Sequence, residues 1–306
     1  MLRQKSPLLV LLACYCPVLL LGWSAPLQAA PLKVAATIFP LYDMLRQVAG
    51  AEAEVVLLVP PGASPHTFTV KPGTIRALTG CQAVFIIGHG FDDWVSRLAR
   101  DAGVKRLMLT DKRLPLRRGY SERHEHQPHR SHTSQEGGVD PHYWLSVPNA
   151  LLMVENIAAS LGQLNPAEQA GYQRRASAYQ EELRLTDAAI RQQLADLPRR
   201  DIATFHMAFA YFAETYGLNI VAVFEPTPGR EPGPRYVEMF QRQIATHNLR
   251  TVFIEPQLSE APLRGLSRDL GVTLQTLDPN GGSEALPTYI AMMQFNARQI
   301  AAALRQ

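Results

Sequence analysis

Cysteine is scarce in this chain. It has three among 306 residues, and two of these, Cys14 and Cys16, fall within the first thirty. Once such a leader is removed, Cys81 has no partner within the chain, which excludes an internal disulfide framework. Its place just before the apolar run Ala83–Ile87 suits a buried, inert thiol. Excess charge is also lacking. Lys and Arg number 30 against 27 Asp and Glu, a net +3. Arg3 and Lys5 lie in residues 1–30 beside no acid, so removing those two charges from +3 leaves +1. No basic field remains to hold nucleic acid. No HExxH motif occurs, which excludes the familiar zinc-protease helix, and no motif-level internal repeat is evident.

The apolar run Leu8–Leu21 is interrupted by Pro17 and short for a membrane span. Basic Arg3 and Lys5 precede it and small Ala25, Ala29 and Ala30 follow, the pattern of a secretory signal over 1–30 cleaved near Ala29 or Ala30. Leu11-Leu12-Ala13-Cys14 resembles a lipobox, so anchoring through Cys14 is a second reading. It ranks lower because cleavage there leaves apolar Pro17–Trp23 at the new N-terminus. Export to the periplasm is the expectation.

Past the leader, short apolar runs alternate with amphipathic ones. Strands are predicted at Leu32–Ala36, Glu54–Val59, Ala83–Gly88 and Arg106–Leu109, separated by helices over Phe39–Ala49, Lys71–Thr79 and Phe91–Ala102. The pattern resumes after Pro198, with strands at Ile202–Phe205, Asn219–Phe224, Arg250–Ile254 and Val272–Leu277. Between them, Tyr172, Ala176, Tyr179, Leu183, Ile190, Leu194 and Leu197 keep one helical stripe. Asn165-Pro166-Ala167-Glu168 has the form of an N-terminal cap for that stripe. A helix over this stretch would be about 48 Å long at ~1.5 Å per residue. The fold class expected is α/β: an N-terminal lobe over 31–161 with a His-rich loop at 120–138, a long rigid helix over 162–198, and a C-terminal lobe over 199–306. The sheets should be mostly parallel, and the length suits two domains, each with its own core.

The polar stretch His124–Leu145 carries His124, His126, His129 and His132, then Asp140-Pro141-His142-Tyr143-Trp144-Leu145. A tract rich in imidazole and poor in apolar residues cannot build a core, and metal contact is its most economical use. A solvated loop is the plain alternative. Four candidate ligands fall in similar places: His66, His206 and Asp278 follow predicted strands, and His142 opens the element after the His tract. Ligands of open α/β sheets bind at the carboxyl ends of strands. If the lobes face each other, three imidazoles and one carboxylate meet in the cleft, a set that suits tetrahedral Zn2+.

The motifs Ser64–Phe68 (SPHTF), Gly88–Trp94 (GHGFDDW), Asp140–Leu145 (DPHYWL), Phe205–Leu218 (FHMAFAYFAETYGL), Gly229–Arg235 (GREPGPR), Phe253–Ser259 (FIEPQLS) and Leu277–Gly282 (LDPNGG) occur in this order. Together they resemble the metal-binding class of ABC-transporter solute-binding proteins, the zinc-uptake type, across nearly all of 31–306. The resemblance implies two lobes joined by a rigid helix, a metal between them, and ligands at His66, His142, His206 and Asp278. The four tract histidines would be auxiliary. It also implies that the third position separates subclasses, Glu for manganese and His for zinc. One departure stands out: Met207 occupies the place where zinc-type members often carry Asp, which puts a supporting acid in doubt. His89 matches no usual ligand position.

On this reading the protein is a monomeric, non-enzymatic carrier of Zn2+ that delivers it to an ABC permease. The alternatives are a Mn2+ or Fe2+ relative, a metal-dependent adhesin, and a secreted zinc hydrolase using Glu225, Glu231 or Glu255 as base.

Overall fold

The computed structural model describes residues 32–119 and 138–306. The leader at 1–30 and the tract histidines His124, His126, His129 and His132 lie outside the described residues. The N-terminal lobe runs β1 (Leu32–Ala36), α1 (Phe39–Ala49), β2 (Ala53–Leu57), α2 (Pro72–Leu78), β3 (Ala83–Ile86), α3 (Trp94–Asp101) and β4 (Leu107–Leu109). Its strands pair in the order β2-β1-β3-β4, all parallel. After α4 (Val147–Leu164) and α5 (Gln169–Leu194), the C-terminal lobe runs β5 (Asp201–Thr204), α6 (Ala210–Tyr216), β6 (Asn219–Val223), α7 (Pro234–Thr246), β7 (Thr251–Ile254), α8 (Ala261–Leu270), β8 (Thr273–Thr276) and α9 (Tyr289–Leu304). The order β6-β5-β7-β8, again parallel, repeats the first sheet. Two halves with no shared motif thus share one topology, because crossover handedness constrains strand order far more tightly than it constrains side chains.

The long helix is shorter than its apolar stripe suggests. A 3-10 turn at Pro166–Glu168 precedes α5, whose 26 residues span about 39 Å at ~1.5 Å each. Asn165 does not cap α5 with its side chain. Its N–H instead donates to the Leu161 carbonyl at 2.8 Å and closes α4. The stripe itself holds: Tyr172, Ala176, Tyr179, Leu183, Ile190 and Leu194 are buried. Cys81 is buried as well, and burial raises its thiol pKa.

The expectation of two separate cores is corrected. One apolar cluster runs through both lobes: β1 and β3 residues, the inner faces of α1, α4, α5, α6 and α9, and Ile202 and Phe253 of the second sheet. Only the outer faces keep cores of their own, around Val84, Val95 and Ala99 in one lobe and Phe205, Phe240 and Leu263 in the other. Hydrogen bonds cross the junction too. Tyr289 N–H donates to Asp43 Oδ2 at 2.8 Å, Tyr289 Oη donates to the Trp144 carbonyl at 2.7 Å, and Trp144 Nε1 donates to the Pro279 carbonyl at 2.7 Å. Burial raises the Asp43 pKa, and the Tyr289 N–H opposes that rise.

A shared core makes a direct prediction. Leu183 is fully buried in the shared cluster, so Leu183→Ala is expected to cost about 2–5 kcal/mol. Denaturant unfolding followed by fluorescence and by far-ultraviolet dichroism should show one coincident transition displaced to lower denaturant. Two separated transitions would contradict the shared core.

Candidate metal centre

Each candidate imidazole is delivered by a short segment leaving a strand end or entering a buried turn. His66 lies in the loop after β2, next to buried Ser64. His142 precedes a 3-10 turn, Tyr143–Leu145, whose three side chains are wholly buried. His206 follows β5 directly. The ligand atoms of these three residues all lie within 4.8 Å of one another. His142 Nε2 is 3.1 Å from His66 Nε2 and 3.4 Å from His206 Nε2. Phe91 meets His66 edge-on at 5.0 Å between centroids, and Trp144 lies 5.3 Å from His142. Desolvation, and then the charges of His142 and His206, push the His66 pKa down to about 2, so its ring stays neutral and keeps a lone pair.

Two carboxylates set ring orientation. Asp140 Oδ1 is 2.9 Å from His142 Nδ1 and also accepts the His142 N–H at 3.0 Å. Glu255 Oε1 is 2.5 Å from His206 Nδ1. A carboxylate accepts, so each Nδ1 carries the proton and each Nε2 turns its lone pair toward the shared centre. This is the arrangement of metal-ligating histidines backed by acids. Three neutral imidazoles so close together, two of them with Nε2 free to bind, fit a cation placed between them.

Asp278 is not brought into this group. Among the described residues the converging set is His66, His142 and His206 alone. Asp278 is buried after β8, and its Oδ1 accepts from Gln257 Nε2 at 2.6 Å and from the N–H groups of Asn280 and Gly281 at 2.9 Å each. His89 also stands apart, paired with Asp111 at 2.8 Å. The acid in doubt at Met207 is supplied from elsewhere: Glu255, directly after β7, buttresses His206. Sequence reading noted Glu255 only as a possible base. Its place at the end of a strand beside β5 was the available signal.

The cavity rim is built from turns. Asp92 is buried and accepts from Thr37 Oγ1 at 2.6 Å and from the Ile87 and Gly88 N–H groups at 2.8 Å each, which fixes the segment carrying Phe91. Glu225 is buried, which raises its pKa, and it accepts from the Arg230 and Gly229 N–H groups. Gly229 has φ +80°, and a Cβ there would lie 2.6 Å from Thr67 Cγ2. The C-terminal lobe's loop therefore rests on the residue beside His66.

Two α/β lobes with a metal-ligand cluster between their strand ends define a solute-binding protein of the metal-binding class. The chain belongs to the family described as zinc-uptake complex component A, periplasmic, whose model matches residues 34–303. Among curated relatives, it is 28% identical over 300 residues to the zinc-binding lipoprotein AdcA of Streptococcus pneumoniae, covering 95% of this chain and 60% of that one. It therefore spans about three-fifths of the AdcA length. It is also 28% identical over 285 residues to the manganese-binding lipoprotein MntA of Halalkalibacterium halodurans, covering 90% and 89%. A crystal structure of ZnuA superposes with TM-score 0.78 at 26% identity, covering 90% of this chain and all of that one. The Mn2+ complex of FpvC from Pseudomonas aeruginosa gives 0.78 at 27%, covering 90% and 99%.

Asp92→Ala removes the acceptor of three buried donors and is expected to destabilise the protein by about 3 kcal/mol. Chemical denaturation checks the loss, and near-ultraviolet dichroism should report loosened aromatic packing around Phe91. An unchanged midpoint would mean that water or another group satisfies those donors.

Proposed function

We propose that this protein captures Zn2+ outside the cytoplasm and hands it to an ABC permease, acting as a carrier and not as an enzyme. The observation that carries this reading is the convergence of His66, His142 and His206, with two of the three rings backed by carboxylates. Neutral imidazole suits a borderline-soft ion, and three of them favour Zn2+ over the harder Mn2+. His206 stands where a manganese binder would offer Glu. The MntA and FpvC likenesses make Mn2+ the second reading. A hydrolase needs a free general base beside the ion. Glu255 is committed to His206 and Glu225 to backbone N–H groups, which speaks against that use. Export follows from the leader at 1–30. Acylation at Cys14 is the alternative, favoured by the lipoprotein names of AdcA and MntA. The tract histidines His124, His126, His129 and His132 serve at most an auxiliary role.

Competitive Zn2+ titration with metal analysis tests the reading. The protein should bind one Zn2+ per chain. His206→Ala should abolish tight binding, Glu255→Gln should weaken it about 10- to 100-fold, and a chain lacking Ser121–Gln135 should retain it. Tight binding that survives His206→Ala and disappears with the tract would defeat the cleft site. Preference for Mn2+ over Zn2+ in competition would defeat the choice of ion.

A further inference from the structure

His142 and His206 come from different lobes, yet their Nε2 atoms lie 3.4 Å apart. The seam sets the separation of the sheets, but it does not aim a ring carried on a turn. The His142 ring is aimed by Asp140, whose Oδ1 takes both the His142 N–H and the Nδ1 proton. Drift of Asp140 would therefore turn that ring.

Asp140 is itself held through both of its backbone groups. Its N–H donates to the Arg117 carbonyl at 3.0 Å. Its carbonyl accepts from Tyr211 Oη at 3.1 Å. The first bond stays within the N-terminal lobe, and the second crosses to α6 of the C-terminal lobe. The same Oη accepts the Arg117 N–H at 2.8 Å. One hydroxyl thus ties both arms of a neck in which Arg118 and Val139 form an antiparallel bridge. A hydroxyl carries one hydrogen, and with Arg117 as donor that hydrogen is left for Asp140. Tyr211 is buried. Burial pushes its pKa up to about 12, so the hydrogen stays on. The Arg117 guanidinium adds a further hold, lying 5.8 Å from the Tyr211 ring centroid and pairing with Glu214 of the same helix. On the other side, only the 3-10 turn Met207–Phe209 and Ala210 separate Tyr211 from His206. One short piece of chain therefore carries His206 at its start and the anchor of the His142 arm just beyond.

We propose that Tyr211 is a positioning residue that keeps His142 in register with His206 across the junction of the lobes. It acts through the Asp140 peptide and does not bind the ion. The proposal rests on the metal-capture reading. Its consequence is that the spacing of two ligands from different lobes is set by one hydroxyl outside the ligand cluster.

Competitive Zn2+ titration of Tyr211→Phe tests this, because the substitution keeps the ring in the shared core and removes only the hydroxyl. Affinity should fall roughly 10-fold. Thr215→Val is the control. Thr215 lies on the same helix and donates across the same junction to Ser146 Oγ at 3.0 Å, with no bond to Asp140. Its affinity should stay within about 2-fold of the unaltered protein, the range expected of a site that is not coupled to the ligands. In an Asp140→Ala background, Tyr211→Phe should cost less than about 3-fold, because the carboxylate it positions is gone. Nitrogen-resolved NMR of the imidazoles gives a second readout. The His142 Nδ1 proton should exchange with water faster in Tyr211→Phe, while the His206 Nδ1 proton, held by Glu255, should not change. Unaltered affinity in Tyr211→Phe would overturn the proposal. An equal loss in Thr215→Val would overturn it too, by showing general loosening of the junction. So would a full 10-fold loss retained in the Asp140→Ala background. Failure of the unaltered protein to bind one Zn2+ per chain would instead sink the capture reading.

Discussion

The apolar seam between the two sheets is the constraint on which the site depends. α5 packs against α1 of one lobe and α9 of the other, with α4 alongside. The residues they bury form a single cluster that runs from β1 to Leu304. Because interiors are close-packed, the separation of the two sheets is set by side-chain volume and not by a hinge. That separation puts the loop after β2 and the end of β5 within ligand distance. Polar bonds crossing the seam, such as Tyr289 to Asp43 and Trp144 to Pro279, tie Trp144 and the turn after Asp278 to the same frame. The frame that stabilises the protein thus also sets the cluster geometry.

Within the frame, the imidazoles are arranged before any ion arrives. Asp140 and Glu255 hold two rings by their Nδ1 atoms, and Phe91 packs edge-on against His66. Ligands already oriented lose less freedom on binding. Desolvation lowers the His66 pKa, which disfavours a proton on the ring and leaves its lone pair for a metal. The cluster is thereby kept electron-rich, with His142 and His206 buried, a condition that a divalent cation relieves.

Much of this was legible in the residues. Alternation of apolar runs with amphipathic ones gave the two α/β lobes, and the positions of His66 and His206 after strands, with His142 opening the element after the His-rich tract, led to the cluster. What the sequence hid was tertiary. Asn165 reads as a helix start, yet its N–H ends α4, because a local cap pattern does not reveal which neighbouring helix claims the residue. The shared core was hidden because apolar stripes name a buried face without naming its partner. The missing acid at Met207 was a gap in one local motif, filled by Glu255, which lies 49 residues beyond His206. Asp278 follows its strand as expected, but its direction depends on Gln257, on a different loop.

A welded seam restricts where the structure can move. Lobes sharing one core cannot open without exposing it, and that cost exceeds what local contacts at the rim impose. The rim is different in kind. The loop after Glu225 is held by backbone hydrogen bonds to one carboxylate, and it meets the His66 segment through Gly229 lying against Thr67, a contact with no core behind it. Segments with few buried apolar contacts open at the lowest free energy. The contacts most easily displaced beside the imidazoles therefore lie in these turns, while α5 and its neighbours hold the ligand positions fixed beneath them.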